Sequence, residues 1–112
     1  METFHRSERE VVEVVDGVYL AELVTAESMS VQYFRFEPGA RVPEHSHHHE
    51  QTGYVTDGVL TFLVDGEELR VGPYDAYAIP GDEAHAAENR TDGLVEGIDV
   101  FSPPRPLSDA PI

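Results

Sequence analysis

An all-β fold, a small antiparallel barrel or double-sheet sandwich, is predicted for this 112-residue chain by three observations. Apolar segments of about four to eight residues recur along its length, the size of short strands. Turn residues separate them at short intervals. No stretch repeats with a helical period. The most informative turns are four Asp-Gly pairs, at Asp16-Gly17, Asp57-Gly58, Asp65-Gly66 and Asp92-Gly93. Each lies between apolar segments and reads as a hairpin signal, because glycine takes the positive φ that tight hairpin turns need.

In chain order, residues 1–10 form a charged arm with no apolar run, so no secretory signal is expected. Val11–Val15 and Val18–Val24 read as two strands joined at Asp16-Gly17, both apolar on both faces. Ser30–Phe36 follows and stops at Glu37-Pro38-Gly39. Gln51–Thr56, Val59–Val64 and Glu68–Val71 come next, divided by Asp57-Gly58 and Asp65-Gly66. Gly72-Pro73 and Pro80-Gly81-Asp82 bracket Ala76–Ile79, and His85–Asn89 and Leu94–Phe101 complete nine expected strands. Pro103, Pro104 and Pro106 predict a rigid extended tail over residues 102–112, since proline lacks the N–H of a sheet ladder. With no linker or repeat, residues 1–112 form one expected domain, long enough to bury roughly 65% of its unfolded surface.

Composition narrows the function. There are 22 acidic residues against seven basic ones, all arginine, for a formal net charge of -15. The acids are spread between apolar runs instead of gathered in a tail, as in the acidic coat of proteins from salt-accumulating microbes. No basic stripe exists to neutralise phosphates, so nucleic acid is not an expected partner. No run is long enough for a membrane span. Without cysteine there is no disulfide, thiolate metal site or thiol nucleophile. A soluble, cytoplasmic protein is expected. The two-faced apolar strands, with Ile98 and Val100 outward on the last one, need cover and predict a homodimer.

Five of the six histidines fall at His45, His47, His48, His49 and His85. On an extended strand side chains alternate, so His45 and His47 point the same way. A third nitrogen and an oxygen must come from other strands, and His85 and Gln51 are the candidates. Such a set suits one divalent transition ion, Ni, Zn, Fe, Mn or Cu, over Mg or Ca. Gln51 shares a face with Gly53 and Val55, with Gly53 leaving room beside the metal; Glu50, on the opposite face, is the alternative oxygen ligand and the stronger one. A shell of three imidazoles and one amide is neutral and keeps the ion's full charge for Lewis acidity. His48 and His49 read as solvated residues of the connection that follows. On the last strand Val95, Gly97, Asp99 and Phe101 share one face. If it is the interior, Asp99 is a buried carboxylate suited to act as a base, and Gly97 clears space near it. Arg105, held between prolines, is positioned to fold back as a fixed cation for an anionic substrate.

The stretch Gly39-(five residues)-His45-Ser46-His47-(three)-Gln51-(six)-Gly58 resembles the first motif of the cupins. Tyr74-(five)-Pro80-Gly81-Asp82-(two)-His85-(three)-Asn89 resembles their second. Tyr74 and Asp82 stand where that family has glycine, and Gln51 where it has glutamate. The resemblance implies a double-sheet jelly roll. Within the family, Asp99-x-Phe101-(three)-Arg105 with His45, His47, Gln51 and His85 is similar to the KdgF group, which linearises the 4,5-unsaturated monouronate released from pectin and alginate. That likeness implies a divalent metal on the three histidines and Gln51, proton transfer by Asp99, a carboxylate grip by Arg105 and a pocket wall from Phe101. A metal-dependent dioxygenase of a small organic acid or diketone, and a non-catalytic ligand-binding module, are the competing readings.

Overall fold

A computed structural model describes residues 1–109, which fold into ten strands in two antiparallel sheets. One sheet contains β1 (Val12–Val15), β2 (Val18–Thr25), β3 (Ser30–Phe36), β5 (Glu50–Asp57), β8 (Ala76–Ile79) and β10 (Val95–Ser102), in the order β1-β2-β3-β10-β5-β8. The other contains β4 (Arg41–His45), β6 (Leu60–Val64), β7 (Glu67–Val71) and β9 (His85–Glu88), in the order β4-β9-β6-β7. All nine expected strands are present with small shifts at their ends. The addition is β4, a sheet-edge strand whose pattern holds one buried residue, Val42, beside exposed Pro43. Proline is tolerated at an edge because its missing N–H faces no partner, and it hides such a strand from pattern reading.

Two of the four Asp-Gly turns are hairpins within a sheet, Asp16-Gly17 between β1 and β2 and Asp65-Gly66 between β6 and β7. The other two are not. Asp57-Gly58 carries the chain from β5 to β6, and Asp92-Gly93 from β9 to β10, each time into the opposite sheet. A sandwich has to change sheets at its ends, and a glycine turn serves that purpose as well as hairpin closure.

The sheets pack face to face around Val18, Leu20, Phe34, Phe36, Val55 and Val95 from one and Val42, Leu60, Phe62 and Ala87 from the other. The inward faces are not uniform. Toward one end, register aligns Gln32, Asp99, Gly53 and Tyr77 across β3, β10, β5 and β8. The next row aligns Ser30, Phe101, Gln51 and Ile79. Four strands thus bring their polar inward residues to one end of the core, and apolar packing fills the other.

The tail is not extended as expected. Ser102 Oγ donates to the Ser28 carbonyl at 2.8 Å, Arg105 N–H donates to Ser30 Oγ at 3.0 Å, and a short 3-10 helix spans Leu107–Asp109. Leu107 packs on the core cluster. An apolar side chain and a donor with a buried acceptor draw the segment back over the barrel end, which proline stiffness alone does not oppose. The remaining tail, 110–112, lies outside the described residues. At the other terminus a 3-10 helix at Arg6–Glu8 puts Arg6 over the ring of outward-facing Tyr33, 4.8 Å from its centroid, and Arg9 donates to the Leu23 carbonyl. Some cover for the outer apolar faces therefore comes from the chain's own arm. Among the described residues no helix is long and apolar enough to cross a membrane.

Candidate metal centre and its acid–base partner

His45, at the end of β4, pairs directly with His85 at the start of β9, and their ring centroids lie 4.4 Å apart. His47 stands 5.2 Å from His85 and 5.6 Å from His45. One ligand nitrogen from each of the three lies within 4.8 Å of the others. The expectation that His45 and His47 share a strand does not hold. β4 ends at His45 because the chain there leaves the four-stranded sheet to begin β5 in the other, and His47 reaches the cluster from that connection.

All three imidazoles are oriented the same way. Nδ1 of His45 contacts the Pro43 carbonyl at 3.0 Å, that of His47 the His49 carbonyl at 3.1 Å, and that of His85 the Glu83 carbonyl at 2.8 Å. A carbonyl can only accept, so each Nδ1 carries the proton and each Nε2 keeps its lone pair. His47 Nε2 is buried without a partner among the described residues. Burial, and then the positive charge of Arg105, push the His47 imidazole down to about 4, and burial also lowers His45. Neutral rings with free Nε2 atoms fit a divalent transition ion.

Gln51 is buried on β5 and Glu50 is exposed, so pleat parity puts Gln51 inside with His45 and His85 on the wall of one cavity. Asp99, Phe101 and Arg105 line the same cavity, which encloses about 50 Å³. Asp99 is 8% exposed, and burial pushes its carboxyl up to about 6 against the downward pull of the Tyr77 hydroxyl, the Gln51 amide and Arg105. The Gln51 amide favours the charged form of Asp99. A glutamate there would set a second carboxylate against the first, which gives a physical reason for the amide. Arg105 is 7% exposed; its Nη2 donates to the Asp109 carbonyl at 2.8 Å and its Nε has no partner among the described residues. Its guanidinium lies 5.2 Å from the centroid of buried Phe101, and among the described residues no carboxylate pairs with it.

Three sequence expectations need correction. Gly53 does not leave room beside a metal: a Cβ there would fall 2.1 Å from the Tyr77 ring and 2.5 Å from Asp99. The space at Gly97 is likewise filled, by the Phe34 ring. His49 is not solvated; it is 4% exposed, its ring lies 6.2 Å from that of Phe101, and its carbonyl anchors His47. His48 is exposed, as expected. Tyr77 and Gln32, both on the cavity wall, were missed. The signal was available: each lies at an inward position of a recognised strand, two residues from Ile79 and Phe34 respectively, and carries a polar tip.

The turn positions of the two motifs share one backbone conformation, whether or not the residue is glycine. Gly39 and Gly58 both have φ of 79°, and Tyr74 and Asp82, in place of glycine, have φ of 71° and 68°. All four are left-handed, a conformation that glycine accepts at least strain.

The comparisons with known proteins agree with this fold. KdgF from Halomonas sp. is 28% identical, with a TM-score of 0.86 over 94% of this chain and 96% of that one. An RmlC-like cupin from Shewanella frigidimarina is 27% identical, with a TM-score of 0.83 over 94% and 93%. The polyketide cyclase RemF from Streptomyces resistomycificus shares the fold, at 24% identity and a TM-score of 0.83 over 95% and 82%. No curated protein sequence matches. The family model described as Cupin domain matches residues 32–101, from the Gln32 strand through both histidine motifs to Phe101, and on that match the chain belongs to the cupins.

Proposed function

We propose that this cupin is a metal-dependent, non-redox enzyme that converts a 4,5-unsaturated monouronate to its linear keto-uronate. The observation that carries the reading is a shared cavity: two of the three clustered imidazoles, His45 and His85, line one space with a buried carboxylate and a buried arginine that has no ion pair among the described residues. His45, His47, His85 and Gln51 would hold the ion, which supplies Lewis acidity at substrate oxygens. Arg105 meets the substrate carboxylate, since a buried guanidinium with an unpartnered Nε gains most from an anion. Phe101 packs against it and shapes the wall. Asp99 takes the proton of the anomeric hydroxyl as C1=O forms and the bond between C1 and the ring oxygen breaks. That electron pair makes the C5 ketone, and the former double bond takes the proton at C4. The net change moves one proton and no electrons to an acceptor, so one base suffices.

The test offers the metal-loaded protein a fresh lyase digest of pectin or alginate and follows the ultraviolet band of the 4,5 double bond. Faster decay than in its absence, lost in Asp99→Ala, is expected. Decay at the uncatalysed rate with fully loaded protein defeats the reading.

The assembly proposed is a homodimer in a high-salt cytoplasm, joined through the outer groove of Thr52, Tyr54, Ala76, Ala78, Ile98 and Val100, which contains no charged residue. At net charge -15 two copies repel, and raising salt from about 0.1 M to 1 M shrinks the screening length from about 10 Å to 3 Å. Light scattering should report a dimer that tightens with salt; a monomer throughout overturns it.

A further inference from the structure

The residue row Asp99–Gly53–Tyr77 has a purpose that none of its members has alone. Asp99 on β10 pairs in register with Gly53 on β5, and Gly53 with Tyr77 on β8. Inward side chains in such a row normally meet only their immediate neighbours. Here the middle position has no side chain, and the Tyr77 ring occupies the gap. An added Cβ at Gly53 would collide with the ring carbon that bears the hydroxyl at 2.1 Å and with the hydroxyl itself at 2.2 Å. Phe62, from the opposite sheet, closes over the ring with centroids 4.7 Å apart. Thus confined, the Tyr77 hydroxyl donates to Asp99 Oδ1 across the width of β5.

We infer that Tyr77 is the positioning residue for Asp99, holding its carboxylate, through the gap at Gly53, in the one orientation that serves the cavity lined by His45 and His85. The inference rests on the proposed role of Asp99 as the proton-transfer group. An aspartate side chain turns freely about its last bond, and a carboxylate free to turn presents its oxygens to substrate only part of the time. One donor, fixed by packing on two sides, removes that freedom. Phenylalanine would fill the same space and pack on Phe62 equally well, so burial alone does not account for the hydroxyl. Tyrosine is also suited to the task by its acidity: burial and the Asp99 charge raise its ionisation well above 10, so it remains a donor wherever Asp99 is charged. Tyr77 touches Asp99 and is not assigned contact with substrate.

The test compares wild type, Tyr77→Phe, Gly53→Ala and the double variant, all zinc-loaded. Tyr77→Phe should lower kcat about 10- to 100-fold, with KM and zinc content within about twofold, as loss of an outer partner of a reacting group does. Gly53→Ala, which pushes the ring from the gap, should lower kcat similarly, and the double variant should be no worse than Tyr77→Phe. A second readout does not need turnover. The carbon-13 signal of the Asp99 carboxyl, identified by its absence in Asp99→Asn, should titrate at higher pH in Tyr77→Phe, because a donor to the charged form has been removed. Unchanged kcat in folded, zinc-loaded Tyr77→Phe overturns the inference. If wild type turns over no uronate, the proposed function fails, and the carboxyl titration then decides by itself: no shift in Tyr77→Phe overturns the positioning role.

Discussion

The two sides of the cavity are held by different means. On the four-stranded sheet and the connection beside it, each imidazole is tied through Nδ1 to a backbone carbonyl, of Pro43, His49 or Glu83. On the six-stranded sheet, Asp99 is held by a side chain, the Tyr77 hydroxyl. Backbone anchors survive substitution of the residue that carries them. Side-chain anchors do not. The metal end should therefore be resistant to change in everything but its ligands, and the carboxylate end sensitive to neighbours that touch neither metal nor substrate.

The largest effect expected is at the ligands. His85→Ala should weaken metal binding at least about 100-fold, read as metal content after dialysis, because no other side chain can supply an Nε2 on the β9 side. Glu83→Ala should leave occupancy unchanged, since the anchoring carbonyl remains. Asp99→Asn should lower turnover by about 100- to 10,000-fold, the range of a lost general base, with metal content intact. If Asp99→Asn instead empties the site, the two sides are not separable and the comparison fails.

The same division predicts opposite pH behaviour in metal-free protein. The Asp99 carboxyl is raised from 3.8 to about 6, so the folded state binds the extra proton and stability falls as pH climbs from 4 to 6. The His47 imidazole is lowered from 6.5 to about 4, so the unfolded state binds more protons and stability falls as pH drops from 6.5 to 4. In wild type the slopes oppose one another across one window. Asp99→Asn removes the first, and denaturant titrations should show the variant gaining on wild type by up to about 3 kcal/mol between pH 4 and 7. A constant difference across that range means that Asp99 is not held raised.

The histidine end was legible in the sequence because spacing and residue type carried it: three imidazoles on motif positions, with Gln51 chosen over Glu50 by alternation on β5. Asp99 inside β10 followed from the same alternation. The carboxylate end was only half visible. Which strand lies beside β10 is a property of sheet order, and β5 and β8 reach their places only after crossings between the sheets. Without that order Gly53 reads as space for a metal instead of space for Tyr77. His49 was misjudged for a similar reason, since its burial comes from Phe101 and the returning tail, neither adjacent in sequence. Local periodicity says which way a residue points; it does not say what it meets.

The smallest effect separates the two sides in their turns. Tyr74 leads into β8, which carries Tyr77, and Asp82 leads into β9, its N–H donating to the His47 carbonyl at 2.8 Å. Both residues sit in the left-handed region. Strain there is about 1 kcal/mol or more for a bulky residue and less for aspartate, whose short polar side chain tolerates it. Tyr74 is 76% exposed, so little packing is lost with its ring. Tyr74→Gly should raise stability by about 1 kcal/mol, and Asp82→Gly by less, after the added chain entropy of glycine is subtracted. Neither should change metal occupancy. The Asp82 result is the sharper one, because its N–H survives the substitution: a drop in metal content would mean that the carboxylate itself, and not the backbone, steadies the loop of His47.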